Sequence, residues 1–100
     1  MKIEFSSIAY EEFKSAIEFY ELQETGLGVR FKEEVDESFK RIIRYPEAWQ
    51  KETRTTRRIF LKRFPYKIVY YLETDKILII AVAHTHRKPF YWIERFGKEE

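Results

Sequence analysis

One hundred residues, 44% of them hydrophobic and 18% aromatic, suffice for one domain (1–100) with its own core. With no cysteine, a disulfide framework and thiolate metal sites are excluded, which suits a reducing cytoplasm. The longest apolar run, 77–83, is far too short to span a membrane, and the opening MKIEF lacks the apolar stretch of a signal peptide.

Net charge is only +2, but it is unevenly spread. Residues 1–53 carry 8 basic and 12 acidic side chains, and residues 54–100 carry 11 and 5. Between positions 53 and 72 there are six Lys or Arg and no acid. Such a field attracts a polyanion or an acidic partner; the plainer alternative is a solvated strand face.

In chain order, residues 1–5 alternate apolar and polar, as a short strand with one buried face does. Ser6 or Ser7 then caps a helix, with Glu11 and Glu12 expected in its first turn, where carboxylates suit the dipole. Ala9, Phe13, Ala16 or Ile17, and Tyr20 recur at helical spacing, and Gly26 is the expected stop. A second helix starts near Leu27 or Gly28, with Phe31, Val35, Phe39 and Ile42 as its apolar stripe, and ends before Pro46. The short break between the helices makes them an antiparallel hairpin. Residues 46–56 have no period and read as a loop, with Trp49 folded back on the core.

Three strands follow. Residues 57–64 place Ile59 and Leu61 on one side and Arg58, Phe60, Lys62 and Phe64 on the other. Residues 66–72 are β-branched and aromatic throughout. Glu73-Thr74-Asp75-Lys76 is a tight turn, and 77–83 is a central strand covered on both faces. The short gaps make these strands an antiparallel meander. The aromatic tail, 87–96, docks on the sheet as a short helix or irregular segment, and Lys98, Glu99 and Glu100 are a frayed end. The order β-αα-βββ-(α) is α+β: a helical hairpin on one face of a small, mostly antiparallel sheet.

The helix-free face is where chemistry is expected. Arg58, Lys62, Lys67, His84, His86, Arg87, Tyr91 and Arg95 are candidates for a concave basic surface, and cations with interleaved rings suit RNA. Metal-free RNA cleavage needs a base for the 2′-hydroxyl, a cation for the phosphorane and an acid for the leaving oxygen. His84, His86, Arg87 and Tyr91 are the candidates for catalysis, and Arg58, Lys62, Lys67 and Arg95 for holding a substrate or target. A structural histidine at a strand end is the more common outcome. His84-x-His86 places two imidazoles on one side of a strand, yet a metal would need a carboxylate as third ligand. Three glycines and the absence of a nucleotide fingerprint argue for no cofactor.

Gly26-Leu27-Gly28 with Arg30-Phe31, the run FPYKIVY from Phe64, and HTHRKP from His84 followed by Tyr91-Trp92 and Arg95 carry a resemblance. Together they resemble the RelE/ParE family of type II toxin–antitoxin (plasmid-stabilisation) toxins over nearly the whole chain. The resemblance implies a cytoplasmic growth inhibitor, silenced by a small antitoxin whose helical and extended tail lies in a groove of the toxin. It also implies one of two targets: DNA gyrase for ParE-like members, or mRNA in the ribosome for RelE-like ones. The ribonuclease branch carries two lysines where Arg58 and Phe60 stand, an arginine where Lys67 stands, another where His86 stands, and a tyrosine where Trp92 or Tyr91 falls. That partial match, with the His84-to-Trp92 ending, favours the ParE-like, gyrase-directed reading. Metal-independent endoribonuclease activity is the alternative.

Overall fold

The computed structural model describes residues 1–96. Its elements are β1 (Lys2–Phe5), α1 (Ser7–Gln23), α2 (Leu27–Arg44), β2 (Thr56–Phe60), β3 (Tyr66–Leu72), β4 (Lys76–His84) and α3 (Ile93–Phe96). The expected α+β order is therefore observed. The four strands form one sheet, β1-β4-β3-β2, with β2–β3 and β3–β4 antiparallel and β1 parallel to β4. Lys98, Glu99 and Glu100 lie outside the described residues. Among the described residues, no helix is long and apolar enough to cross a membrane.

The helices start as their sequences dictate, with one change of role. Ser6 caps α1 by accepting from the Ala9 amide at 3.2 Å, a contact that contributes about 1 kcal/mol. Because α1 starts at Ser7, Glu11 and Glu12 lie beyond its first turn. Gly26 does not stop α1, whose C-cap is Glu24; with φ of 91° it is the N-cap of α2. The Glu21 carboxylate accepts from the Gly26 and Gly28 amides at 2.9 and 3.1 Å, supplying the anion that an uncapped helix start favours. Gly28 lets the helices touch, since a Cβ there would lie 2.6 Å from the Ile17 carbonyl oxygen.

The main core lies between the hairpin and the sheet. Phe31, Val35, Ile42, Ile68, Tyr70, Ile77 and Ile79 are wholly buried in it. Tyr70 donates to the Pro46 carbonyl at 2.7 Å, and burial pushes its phenol up to about 12. Here the strand expected over 57–64 ends early, at Phe60. Leu61 still donates to the Tyr66 carbonyl at 2.9 Å, but residues 62–65 leave the ladder, the Lys62 and Arg63 amides donate to Glu34, and Phe64 turns into the helix-side core. Its ring centroid lies 4.8 Å from that of Tyr20 and 5.1 Å from that of Phe31. Phe64 thus belongs with Ile59 and Leu61, because aromatic burial outweighs continued alternation.

A second cluster covers the opposite face. Val69, Ile80, Ala81, Ala83 and Trp92 are buried there, with Tyr71, Leu78, Tyr91 and Ile93 around them. Trp92 is 0% exposed. Packing on both faces explains why β4 is apolar almost throughout. β4 also carries a bulge: Val69 pairs with Ala81 and Tyr70 with Ile79, leaving Ile80 as the extra residue. The bulge falls where β1 ends, at Phe5 opposite Ile79.

Candidate functional site

The candidate residues do not all assemble into one basic surface, although Lys67, His84, Arg87 and Tyr91 line one small cleft of about 70 Å3 with Lys88 and Trp92. Cross-strand partners point to the same side of a sheet, so Arg58 (opposite Val69) and Lys67 (opposite Phe60) share the face away from the helices. His84 pairs with Tyr66 and packs edge-on against its ring at 5.2 Å, and Tyr66 belongs to the helix-side core. Lys62 sits apart, in a mixed-charge groove of about 340 Å3 with Arg30, Glu33, Glu34, Glu37, Arg41 and Arg63.

Three arrangements result. The first is centred on Glu52, in the segment before β2. That segment is ordered by folding back on the strand. Arg58 N donates to the Gln50 carbonyl at 3.0 Å, Glu52 N to the Thr56 carbonyl at 2.9 Å, and Lys51 bridges to Arg57. Thr53 and the buried Thr56 share a 2.6 Å hydroxyl contact that fixes the turn. The Glu52 carboxylate, 3% exposed, thereby receives Arg58 Nη1 at 2.8 Å on one oxygen and Lys67 Nζ on the other. Burial pushes the Glu52 carboxyl up, but hydrogen bonds and charge from Arg58 and Lys67 prevail and hold it below the usual carboxylate range.

The second arrangement is centred on Glu12. Arg95 grips it with both nitrogens, at 3.0 and 2.8 Å, and Tyr91 Oη donates to it at 2.6 Å. The Val82 amide donates to the same carboxylate at 2.9 Å, and Arg95 also reaches the Ile80 carbonyl at 3.4 Å. These are backbone groups of β4 beyond the end of β1. One carboxylate and one guanidinium thus satisfy a strand edge that has lost its neighbour. Burial, followed by the hydrogen bond and charge of Glu12, pushes the Tyr91 phenol far up. The Glu12 hydrogen bond leads in raising Arg95 too.

The third arrangement is the end of β4. His84 Nδ1 accepts from the His86 amide at 3.1 Å, and the two rings lie 5.1 Å apart. The Arg87 guanidinium stacks on Tyr91, 3.6 Å from its centroid. Among the described residues, the Arg87 side chain makes no ion pair, so its donors stay available. His84 and Arg87 border a groove of about 290 Å3 with Glu12, Ser15, Ala16, Phe19, Tyr66 and Val82. Phe19 on its α1 wall is 53% exposed, and Leu22, one turn on, 87%. Among the described residues, no group of three His, Asp or Glu side chains could hold a metal ion.

Sequence reasoning missed Glu12 and Glu52. Glu12 lies beside the apolar stripe, three residues after Ala9 and four before Ala16, which is a weak sign of burial. Glu52 sits in a segment with no period and carried no signal.

Comparison with known proteins agrees with this architecture. The profile of the ParE toxin of type II toxin–antitoxin systems (parDE) matches residues 3–89. Among solved structures, the fold is similar to a chain described as the chromosomal ParDE TA system from P. aeruginosa. The TM-score is 0.75 and the identity 12%, over 86% of this chain and 97% of that one. At that identity the likeness concerns the fold. No curated protein sequence matches.

Proposed function

We propose, from the premise that the chain belongs to the ParE family of type II toxin–antitoxin toxins, that it inhibits growth by binding DNA gyrase in the cytoplasm. Its cognate antitoxin, small and acidic, would silence it by docking beside the end of β4. The observation that carries binding over RNA cleavage is the internal pairing of the cations. Arg58 and Lys67 are spent on Glu52, and Arg95 and Tyr91 on Glu12. A phosphorane needs unpaired cations, and pairing removes Arg58, Lys67 and Arg95 from that role and leaves Arg87; a leaving oxygen needs an acid of accessible pKa. Tyr91, with its phenol pushed far up and tied to Glu12, is a poor acid.

His84, His86, Arg87 and Lys88 are suited instead to receive carboxylates from a partner. The adjoining groove, with Phe19 and Leu22 exposed on α1, offers apolar area for a partner's amphipathic helix. Lys62 is a further contact for the target.

Purified protein is expected to inhibit gyrase supercoiling, and His84→Ala and Arg87→Ala to weaken that inhibition while the fold persists by circular dichroism. Unaffected supercoiling at large toxin excess, with mRNA cut in a translating extract, would replace this reading by the ribosome-dependent nuclease.

A further inference from the structure

We infer that Glu52 is a resident counter-anion that keeps RNA phosphate off the Arg58–Lys67 pair, so that this face is a phosphate site closed from within. The inference does not depend on the identity of the toxin's target.

The geometry is that of an occupied anion site. Two cations from neighbouring strands converge on the two oxygens of one carboxylate. The carboxylate side chain is 3% exposed, against 24% for Arg58 and 18% for Lys67, so the anion lies beneath and the cations flank the surface. Among the described residues, Arg58 Nε is buried without a partner, so Glu52 leaves one guanidinium donor unused. The strands that carry the two cations supply no substitute anion between positions 53 and 72, where no acid occurs.

Glu52 is not held by side-chain attraction alone. The Glu52–Thr56 and Arg58–Gln50 backbone bonds and the Thr53–Thr56 hydroxyl pair set its place independently of the charges. The ion is therefore delivered by the backbone, unlike a surface pair that forms and breaks with side-chain motion.

The surroundings suit single-stranded RNA. Phe60 is half-exposed, lies on the same face opposite Lys67, and has Arg58 5.2 Å from its centroid. An exposed ring beside paired cations accepts an unpaired base while the cations take its phosphate. With Glu52 ionised, the three side chains sum to a single positive charge. Neutralising Glu52 doubles that charge and uncovers the cations.

The test is fluorescence anisotropy with a short labelled single-stranded RNA, comparing wild type with Glu52→Gln between about 50 and 200 mM salt. Glu52→Gln is expected to bind about tenfold or more tightly at low salt, as one or two charge-assisted contacts become available. Its log–log salt slope should steepen by about 0.7 for each phosphate newly contacted. In the triple variant Glu52→Gln/Arg58→Met/Lys67→Met the gain should vanish. A folded Glu52→Gln that binds no more tightly than wild type overturns the inference, as does a gain that survives in the triple variant.

Should Glu52→Gln fail to fold by circular dichroism, Glu52→Asp replaces it, keeping the charge but one methylene too short to bridge both cations. A tighter complex than wild type supports the inference, and an unchanged one overturns it. None of these outcomes alters the gyrase assay, so the two readings fail separately.

Discussion

Gly26 and Gly28, two residues apart, do different work. Gly26 adopts φ of 91° in open space, so Gly26→Ala meets only backbone strain, about 1 kcal/mol. Gly28→Ala drives a methyl into the Ile17 carbonyl and should cost about 1–3 kcal/mol by urea denaturation, through separation of the helices. Glu52 gives a pH prediction. Its folded pKa is lowered, so the stability it contributes is present above the unfolded carboxylate value and lost as pH falls through the folded one. The urea midpoint of wild type should therefore drop on acidification below pH of about 4, and Glu52→Gln should flatten that acid limb. An equal drop in both proteins would assign acid sensitivity to other carboxylates. The sequence marked both glycines as helix punctuation, but which helix each served depended on where Glu24 broke the first one. Glu52 was illegible because its partners lie 6 and 15 residues away across a turn that no periodicity announces.

At the scale of elements, the C-terminal segment is tied to α1 through Glu12. Glu12→Gln keeps the shape but removes the charge that Arg95, Tyr91 and the Val82 amide share. It should cost about 2 kcal/mol, the range of hydrogen bonds to a partly buried charge. Amide exchange should rise first at Val82 and in Ile93–Phe96, with the core of β3 protected until global unfolding. Uniform acceleration across the sheet would mean that the contact stabilises the whole fold equally. The helices were legible because their period of 3.6 runs unbroken over many residues, and β3 because its residues are largely β-branched and aromatic. The end of β2 was not. Phe64 continues the alternation in sequence, but it leaves the strand to fill space between Tyr20 and Phe31. Nor did the pattern reveal that His84 faces the helices, since a strand that is apolar on both sides gives no clue to which face its last residue joins.

For the whole molecule, the division into an acidic and a basic half is partly cancelled internally. Glu12 and Glu52 come from the acidic half, and the four side chains they hold come from the basic one. What remains unpaired near the end of β4 sets the electrostatic share of partner binding. Affinity for an acidic antitoxin should fall as salt rises, and Arg87→Ala should weaken it by about tenfold and reduce the salt dependence. Calorimetry at two salt concentrations reads both quantities; salt-independent binding would place the antitoxin on the apolar surface alone. The parallel pairing of β1 with β4 has a consequence for synthesis. Lys2–Phe5 are made before the strand they join, Lys76–Ile79, which follows only after both helices and two other strands. Glu12 waits longer still, until Arg95 is made. The sheet therefore cannot close before β4 is made, nor the surface beside it before Arg95 is, so the N-terminal strand and first helix stay without their partners through most of this domain's synthesis.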